Sequence, residues 1–145
     1  MRQLSVLIPY RKTVGGVSVF MQKRASDAKR YPGKIAFFGG HAEPHEIPEQ
    51  TLVREIKEEL NYDLIPISFK DAAYKFLETQ QFEEDGETVV KHIYYFKVPD
   101  DFDEKITIGE GDYGQWFTQD EILAEPLVIE HDRPVLEWLF ERLES

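Results

Sequence analysis

The 145-residue chain has no cysteine, which excludes disulfides, thiolate catalysis and zinc–thiolate sites together. It also lacks an apolar run long enough to span a bilayer and an apolar signal-peptide core. A soluble, cytoplasmic protein without a membrane partner is therefore expected. Basic residues are scarce beyond position 40, with nine against 27 acids, whereas residues 1–40 hold eight Lys/Arg and only Asp27 as an acid. The net charge of −11 opposes binding to long nucleic acid, which rewards broad basic surfaces. A small phosphorylated ligand held by a few local cations stays compatible with it. Repeats and low-complexity tracts are missing too, and the length suits one domain over residues 1–145.

Periodicity divides the chain. Residues 4–8 and 17–21 read as strands around a Gly15-Gly16 turn, suited to a hairpin. The charged stretch 25–33 ends in Pro32-Gly33 and reads as a loop. Residues 35–38 are a short apolar strand running into Gly39-Gly40. Strands are predicted around 64–70, 73–82 and 88–98, the last two joined by an acidic turn over 83–87. Residues 109–114 form another loop, followed by Gln115-Trp116-Phe117. Thr118 suits the N-cap of a short helix with Glu121 at the capping-box position. Val135, Leu136, Leu139, Phe140 and Leu143 form a helical stripe over 132–143. Strands interleaved with two or three helices indicate a mixed α/β sandwich.

Residues 40–62, GHAEPHEIPEQTLVREIKEELNY, carry most of the chemistry. Pro48 suits the first helical position and Glu49 the positive end of the dipole, predicting a helix from 48 to 60. At about 100° per residue, Glu55, Glu58 and Glu59 share one arc beside an apolar stripe of Leu52, Val53, Ile56 and Leu60. Like charges at i, i+4 destabilise a helix by a few tenths of a kcal/mol, roughly, unless something offsets them. Arg54 offsets part; a divalent cation offsets far more. The ordered Gly, Glu, Arg-Glu and Glu-Glu spacing arises by chance in roughly one chain of this composition in ten thousand.

At these residues the sequence resembles the Nudix hydrolases, whose signature is G-x5-E-x7-R-E-U-x-E-E-x-G-U, U being bulky and apolar. Gly40, Glu46, Arg54, Glu55, Ile56, Glu58 and Glu59 match, and the likeness extends to Phe38-Gly39-Gly40-His41 and Gly114-Gln115-Trp116-Phe117. Asn61 stands where the signature has its second glycine, in a left-handed position that Asn tolerates next best. Tyr62 replaces an aliphatic residue. His45 sits where many relatives have Gly, and His tolerates positive φ better than most residues.

The resemblance implies a Nudix-type α/β/α sandwich with a mixed β-sheet, and cleavage of a nucleoside diphosphate linked to another group. It implies Mg²⁺ or Mn²⁺ held by Glu55, Glu58, Glu59 and the Gly39 carbonyl. The catalytic set is Glu55, Glu58 and Arg54. Glu55 is assigned as the base, a role that different Nudix glutamates fill. Arg54 braces the loop–helix geometry with Glu46, and Gly40 belongs to the same scaffold. Glu110, between Gly109 and Gly111, is the candidate for a further metal carboxylate, with Glu83, Glu84 and Glu87 as rivals. Arg24, Arg11 and Lys34 are candidate phosphate contacts, and Tyr113 and Trp116 candidate stacking residues. Phe37 is assigned to the core and His41 to loop structure; the other histidines carry no role. The leading substrate is a modified nucleoside triphosphate. Nucleotide sugars, dinucleoside polyphosphates and a non-catalytic nucleotide sensor are the alternatives. Related folds often dimerise, which leaves a homodimer open.

Overall fold

A computed structural model of the chain describes residues 1–64, 74–108 and 113–144. All but Leu64 of the strand expected around 64–70, and the candidate ligand Glu110, lie outside the described residues. Strand β1 (Arg2–Thr13) organises the rest. Its residues alternate between two cores, as a strand's two-residue period requires: Val6, Ile8 and Tyr10 enter one, Leu7 the other. One edge of β1 pairs parallel with β6 (Glu87–Lys97), which in turn pairs antiparallel with β5 (Tyr74–Glu84). The other edge is shared. Its later half forms the expected hairpin with β2 (Gly16–Lys23), and its first half takes β4 (Phe38–His41).

That sharing corrects the single strand expected over 35–38. β3 (Ile35–Ala36) pairs with β2, and the chain crosses at Phe37 to become β4 on β1. Where β1 and β2 diverge, each needs a partner, and one segment serves both. Gly39, Gly40 and His41 are thus strand residues, which corrects the loop role expected of His41. Gly39 has φ +141°, and a Cβ there would lie 2.1 Å from the Ser5 carbonyl oxygen. Only glycine allows that approach.

Helix α1 (Pro48–Leu60) covers one face, burying Leu52, Ile56 and Leu60 against Leu7, Phe38 and Phe96. Each such burial contributes about 1.5–3 kcal/mol. The helix ends at Asn61, which is left-handed (φ +51°, ψ +39°) with its N–H on the Lys57 carbonyl. His45 is also left-handed at φ +69°. A short α2 (Phe102–Lys105), which sequence patterning did not anticipate, buries Phe102 in the same core. On the opposite face lie α3 (Gln119–Ala124) and α4 (Arg133–Glu144). Thr118 and Glu121 form the expected capping box. β7 (Tyr113–Thr118) completes the seven-stranded mixed sheet on the free edge of β2.

The β5–β6 connection is tighter than the acidic turn expected over 83–87. Only Asp85 and Gly86 turn, both at positive φ, as a two-residue hairpin demands. Glu83, Glu84 and Glu87 stand in the strands. Among the described residues no helix is long and apolar enough to cross a membrane.

Candidate active site

Arg54 is the hub of the loop–helix junction. Its Nε and Nη2 donate to both Glu46 oxygens at 2.7 and 2.9 Å, its Nη2 to the His41 carbonyl at 2.8 Å, and its Nη1 to Glu55 at 2.8 Å. A planar guanidinium suits this, because its donors leave in a fixed fork that lysine cannot reproduce. Glu46 also accepts from the Thr51 hydroxyl and the Glu43 N–H, both at 2.8 Å. The Arg54 hydrogen bonds, chiefly, hold the Glu46 carboxyl down at about 2.

A depressed carboxyl stabilises the fold above its ordinary value near 4.5, and that stabilisation is lost as pH falls through about 2. Glu46→Gln is therefore expected to lower the melting temperature at pH 5 and above. The gap to wild type should close between pH 4.5 and 2, which a calorimetric pH series reads directly. A constant gap across that range refutes the linkage.

The three helix glutamates face different partners. Glu59 turns to the sheet and accepts from Gly39 N–H at 2.6 Å and Gln22 Nε2 at 3.2 Å. Glu58 is largely exposed, 3.5 Å from Arg54. Glu55 lies half-buried beneath Gly40, where a Cβ would come within 2.5 Å of its carboxyl carbon. Desolvation, reinforced by Glu58 and opposed by Arg54, pushes the Glu55 carboxyl above its usual value. Hard carboxylate and carbonyl oxygens are the donors that Mg²⁺ and Mn²⁺ prefer. Gly40, which leaves the Glu55 carboxylate uncovered, and the charge on Glu55, which Arg54 offsets only in part, also fit a divalent cation. Among the described residues no three acidic or histidine side chains converge as a ready-made cage, because Arg54, Gly39 and Gln22 engage the carboxylates instead.

From Glu55, Gly39 and Gly40 a cavity of about 310 Å³ runs toward the α4 face. Arg2, Arg24, Arg30 and Lys91 supply its cations, and Tyr31, Phe37, Phe82 and His131 its rings. Phe82 and His131 lie 4.1 Å apart. At the floor Lys91 Nζ donates to Asp132 Oδ1 at 2.5 Å, with Lys91 buried and Asp132 wholly so. Asp132 Oδ2 is buried without a hydrogen bond. A buried acceptor left unpaired in a cavity wall costs about 1–3 kcal/mol until a ligand donor or water meets it.

This arrangement brings Arg24 into the cavity but not the other four candidate substrate contacts. The Arg11 guanidinium lies 4.1 Å over the Trp116 ring and pairs with Asp103, which also accepts from Trp116 Nε1. That cluster fastens α2 to β7. Tyr113 is half exposed beneath Lys23. Lys34 donates its N–H to the Tyr31 carbonyl and does not line the cavity. Arg2, Lys91 and the adjacent His131 and Asp132 went unread because they lie on three separate segments with no common spacing. The available signal was a Lys at an inward position of an apolar strand, which must find a buried partner.

The NUDIX domain family model matches residues 1–139. The chain belongs to the Nudix family. Nucleoside triphosphatase NudI of Klebsiella pneumoniae (strain 342) is 40% identical over 76 residues, covering 49% of this chain and 52% of that protein. This Nudix chain thus spans about half the length of the curated relatives it matches. Two solved structures share the Nudix fold across almost the whole chain. An Ap4A hydrolase binary complex from C. elegans has TM-score 0.70 and 20% identity, covering 99% of this chain and 98% of that one. The NUDIX domain of Shewanella oneidensis NrtR, complexed with ADP ribose, has TM-score 0.73 and 18% identity, covering 97% and 87%.

Proposed function

We propose that this Nudix chain is a metal-dependent pyrophosphohydrolase acting on a nucleoside diphosphate derivative. A nucleoside triphosphate, cleaved to a monophosphate and pyrophosphate, is the leading substrate. The observation that carries this reading is one continuous cavity joining the signature residues Glu55 and Gly40, with the neighbouring Gly39, to a ring-lined, polar-floored wall. The nucleoside triphosphatase name of the curated relatives supports the choice of substrate.

Glu55, Glu58 and Glu59 would hold Mg²⁺ or Mn²⁺, with the Gly39 carbonyl and Glu110 as further ligands. Such an ion neutralises phosphoryl oxygens and acidifies a bound water. Glu55, half-buried beneath Gly40, would accept the proton of the water that attacks phosphorus. The bridging P–O bond breaks, and its electron pair leaves with pyrophosphate or with the nucleoside monophosphate, according to which phosphorus the water attacks. Arg54 keeps Glu55 and the His41 backbone in register through the step, and Arg24 offsets charge on the phosphate chain. The Phe82–His131 wall and the Lys91–Asp132 floor hold the base, with Asp132 Oδ2 accepting from one of its N–H groups.

The test is a panel of nucleoside triphosphates, nucleotide sugars and dinucleoside polyphosphates, assayed with Mg²⁺ and Mn²⁺. Wild type is compared with Glu58→Gln and Glu59→Gln. Turnover of a triphosphate that releases pyrophosphate and falls in both variants supports the reading. Tight binding without turnover of any compound replaces it with a sensor. Undiminished turnover in both variants removes the metal assignment.

A further inference from the structure

The cavity mouth holds a cluster that the hydrolase reading does not use. Glu84, near the tip of the β5–β6 hairpin, accepts through Oε1 from Arg2 Nη2 at 2.5 Å and Arg30 Nη1 at 2.8 Å, and through Oε2 from the Tyr31 hydroxyl. All four residues line the cavity that also contains Glu55. Two guanidiniums and a hydroxyl, converging from separate segments on one small anion, form a donor set that recognises phosphoryl groups.

We propose that Arg2, Arg30 and Tyr31 form an anion subsite for a phosphoryl group of the ligand, and that the Glu84 carboxylate occupies it in the free protein. Three further observations support this. Tyr31 is left-handed at φ +49°, a conformation that costs a bulky residue about 1–3 kcal/mol and persists only where the surroundings impose it. Here it places the ring edge-on to His131 with the hydroxyl on Glu84. Arg2 Nε is buried without a hydrogen bond, 2.9 Å from Glu87 but out of line with it. The cluster thus has a donor beyond those that Glu84 uses.

Finally, the subsite is coupled to the carboxylate helix. Arg2 Nη1 lies 3.2 Å from His41 Nε2, and the His41 carbonyl accepts from Arg54. One ligand can therefore span from Glu55 to Arg2. Exchange substitutes one anion for another on the same donors, so no charge is left unpaired. Glu84, beside the exposed Asp85-Gly86 tip, swings into water as the phosphoryl group enters.

Only the identity of the ligand's remainder rests on the proposed hydrolase function; the subsite is tested with inorganic pyrophosphate. Titration calorimetry in metal-free buffer of low, fixed ionic strength compares wild type, Glu84→Gln and Asp85→Asn, which makes the same charge change at the exposed tip, 3.7 Å from Arg30 and beyond hydrogen-bond reach of it. Glu84→Gln should bind pyrophosphate about tenfold tighter than wild type, a gain that Asp85→Asn lacks. Adding Arg30→Gln to Glu84→Gln should abolish the gain. Malonate should show a smaller gain, because a tetrahedral anion can use the third donor direction. An equal or larger gain for malonate overturns the phosphoryl assignment.

No gain in Glu84→Gln, a gain matched by Asp85→Asn, or one surviving Arg30→Gln overturns the subsite. If Glu84→Gln fails to fold, Arg30→Gln alone decides: about fivefold weaker pyrophosphate binding is expected, and unchanged binding overturns the proposal. A pyrophosphate gain in a chain that hydrolyses no nucleotide leaves the subsite standing and the hydrolase reading refuted. Nucleotide turnover without the gain does the reverse.

Discussion

Replacing Glu55 with Gln is expected to lower turnover by about 10³-fold, worth about 4 kcal/mol of barrier, while the melting temperature at pH 7.5 holds or rises. The two effects have one cause. Burial raises the Glu55 carboxyl above its usual value, Glu58 adds to the rise, and Arg54 opposes it. A raised carboxyl contributes stability below its ordinary pH range, and loses it as pH climbs through the folded-state value. Ionised Glu55 is therefore a cost to the fold at neutral pH. Gln removes the charge, yet its carbonyl still accepts from Arg54 Nη1, which now reaches Glu55 at 2.8 Å. Steady-state rates at saturating Mg²⁺ and Mn²⁺, beside calorimetry, separate the outcomes. Activity within tenfold of wild type removes Glu55 from the mechanism. A melting temperature that falls with activity means the loss is unfolding.

The Lys91–Asp132 pair should show the largest effect on stability. Asp132→Ala leaves a buried ammonium without its carboxylate, and such broken pairs cost about 3–5 kcal/mol. Replacing both residues, as in Lys91→Met with Asp132→Leu, removes both charges and should recover most of the loss, because apolar replacements of buried pairs are commonly neutral. Urea unfolding measures both. A double variant as unstable as Asp132→Ala shows that packing, not uncompensated charge, dominates. In the stable double variant the cavity keeps its rings but loses its polar floor. KM for the preferred nucleotide should then rise by about tenfold, the loss of one hydrogen bond near 1.4 kcal/mol, while kcat changes less.

The parts of the fold that sequence anticipated are those whose causes lie within a few residues. Helix α1 could be drawn from Pro48 to Leu60 because its start, stripe and stop are all local. Asn61 could be placed in the left-handed region because a helix stop selects the few residues that tolerate it. The Thr118–Glu121 capping box has the same character. What patterning missed depended on distant partners. Residues 35–38 read as one strand, yet they divide between β2 and β1 because those strands part. Trp116 and Arg11 read as ligand contacts, a natural assignment for an aromatic and a cation near glycines. Asp103, on a helix too short to show periodicity, instead draws both into a structural cluster.

The sequence by itself determined the spacing: three carboxylates on one helical arc, with an arginine beside them and a glycine pair ahead of them; that Glu55 and Ser5 leave no room for side chains at those glycines came from the structure. Helical periodicity carries such information in spacing alone. Only the tertiary structure decided which cations line the cavity and which acids they meet there. Arg2, Arg24 and Arg30 reach one cavity while Arg11 does not, and Glu84 and Asp132 meet their partners across 82 and 41 residues. Side chains gathered from remote strands obey no common period, so their proximity becomes legible only when the sheet's pairing and register are known.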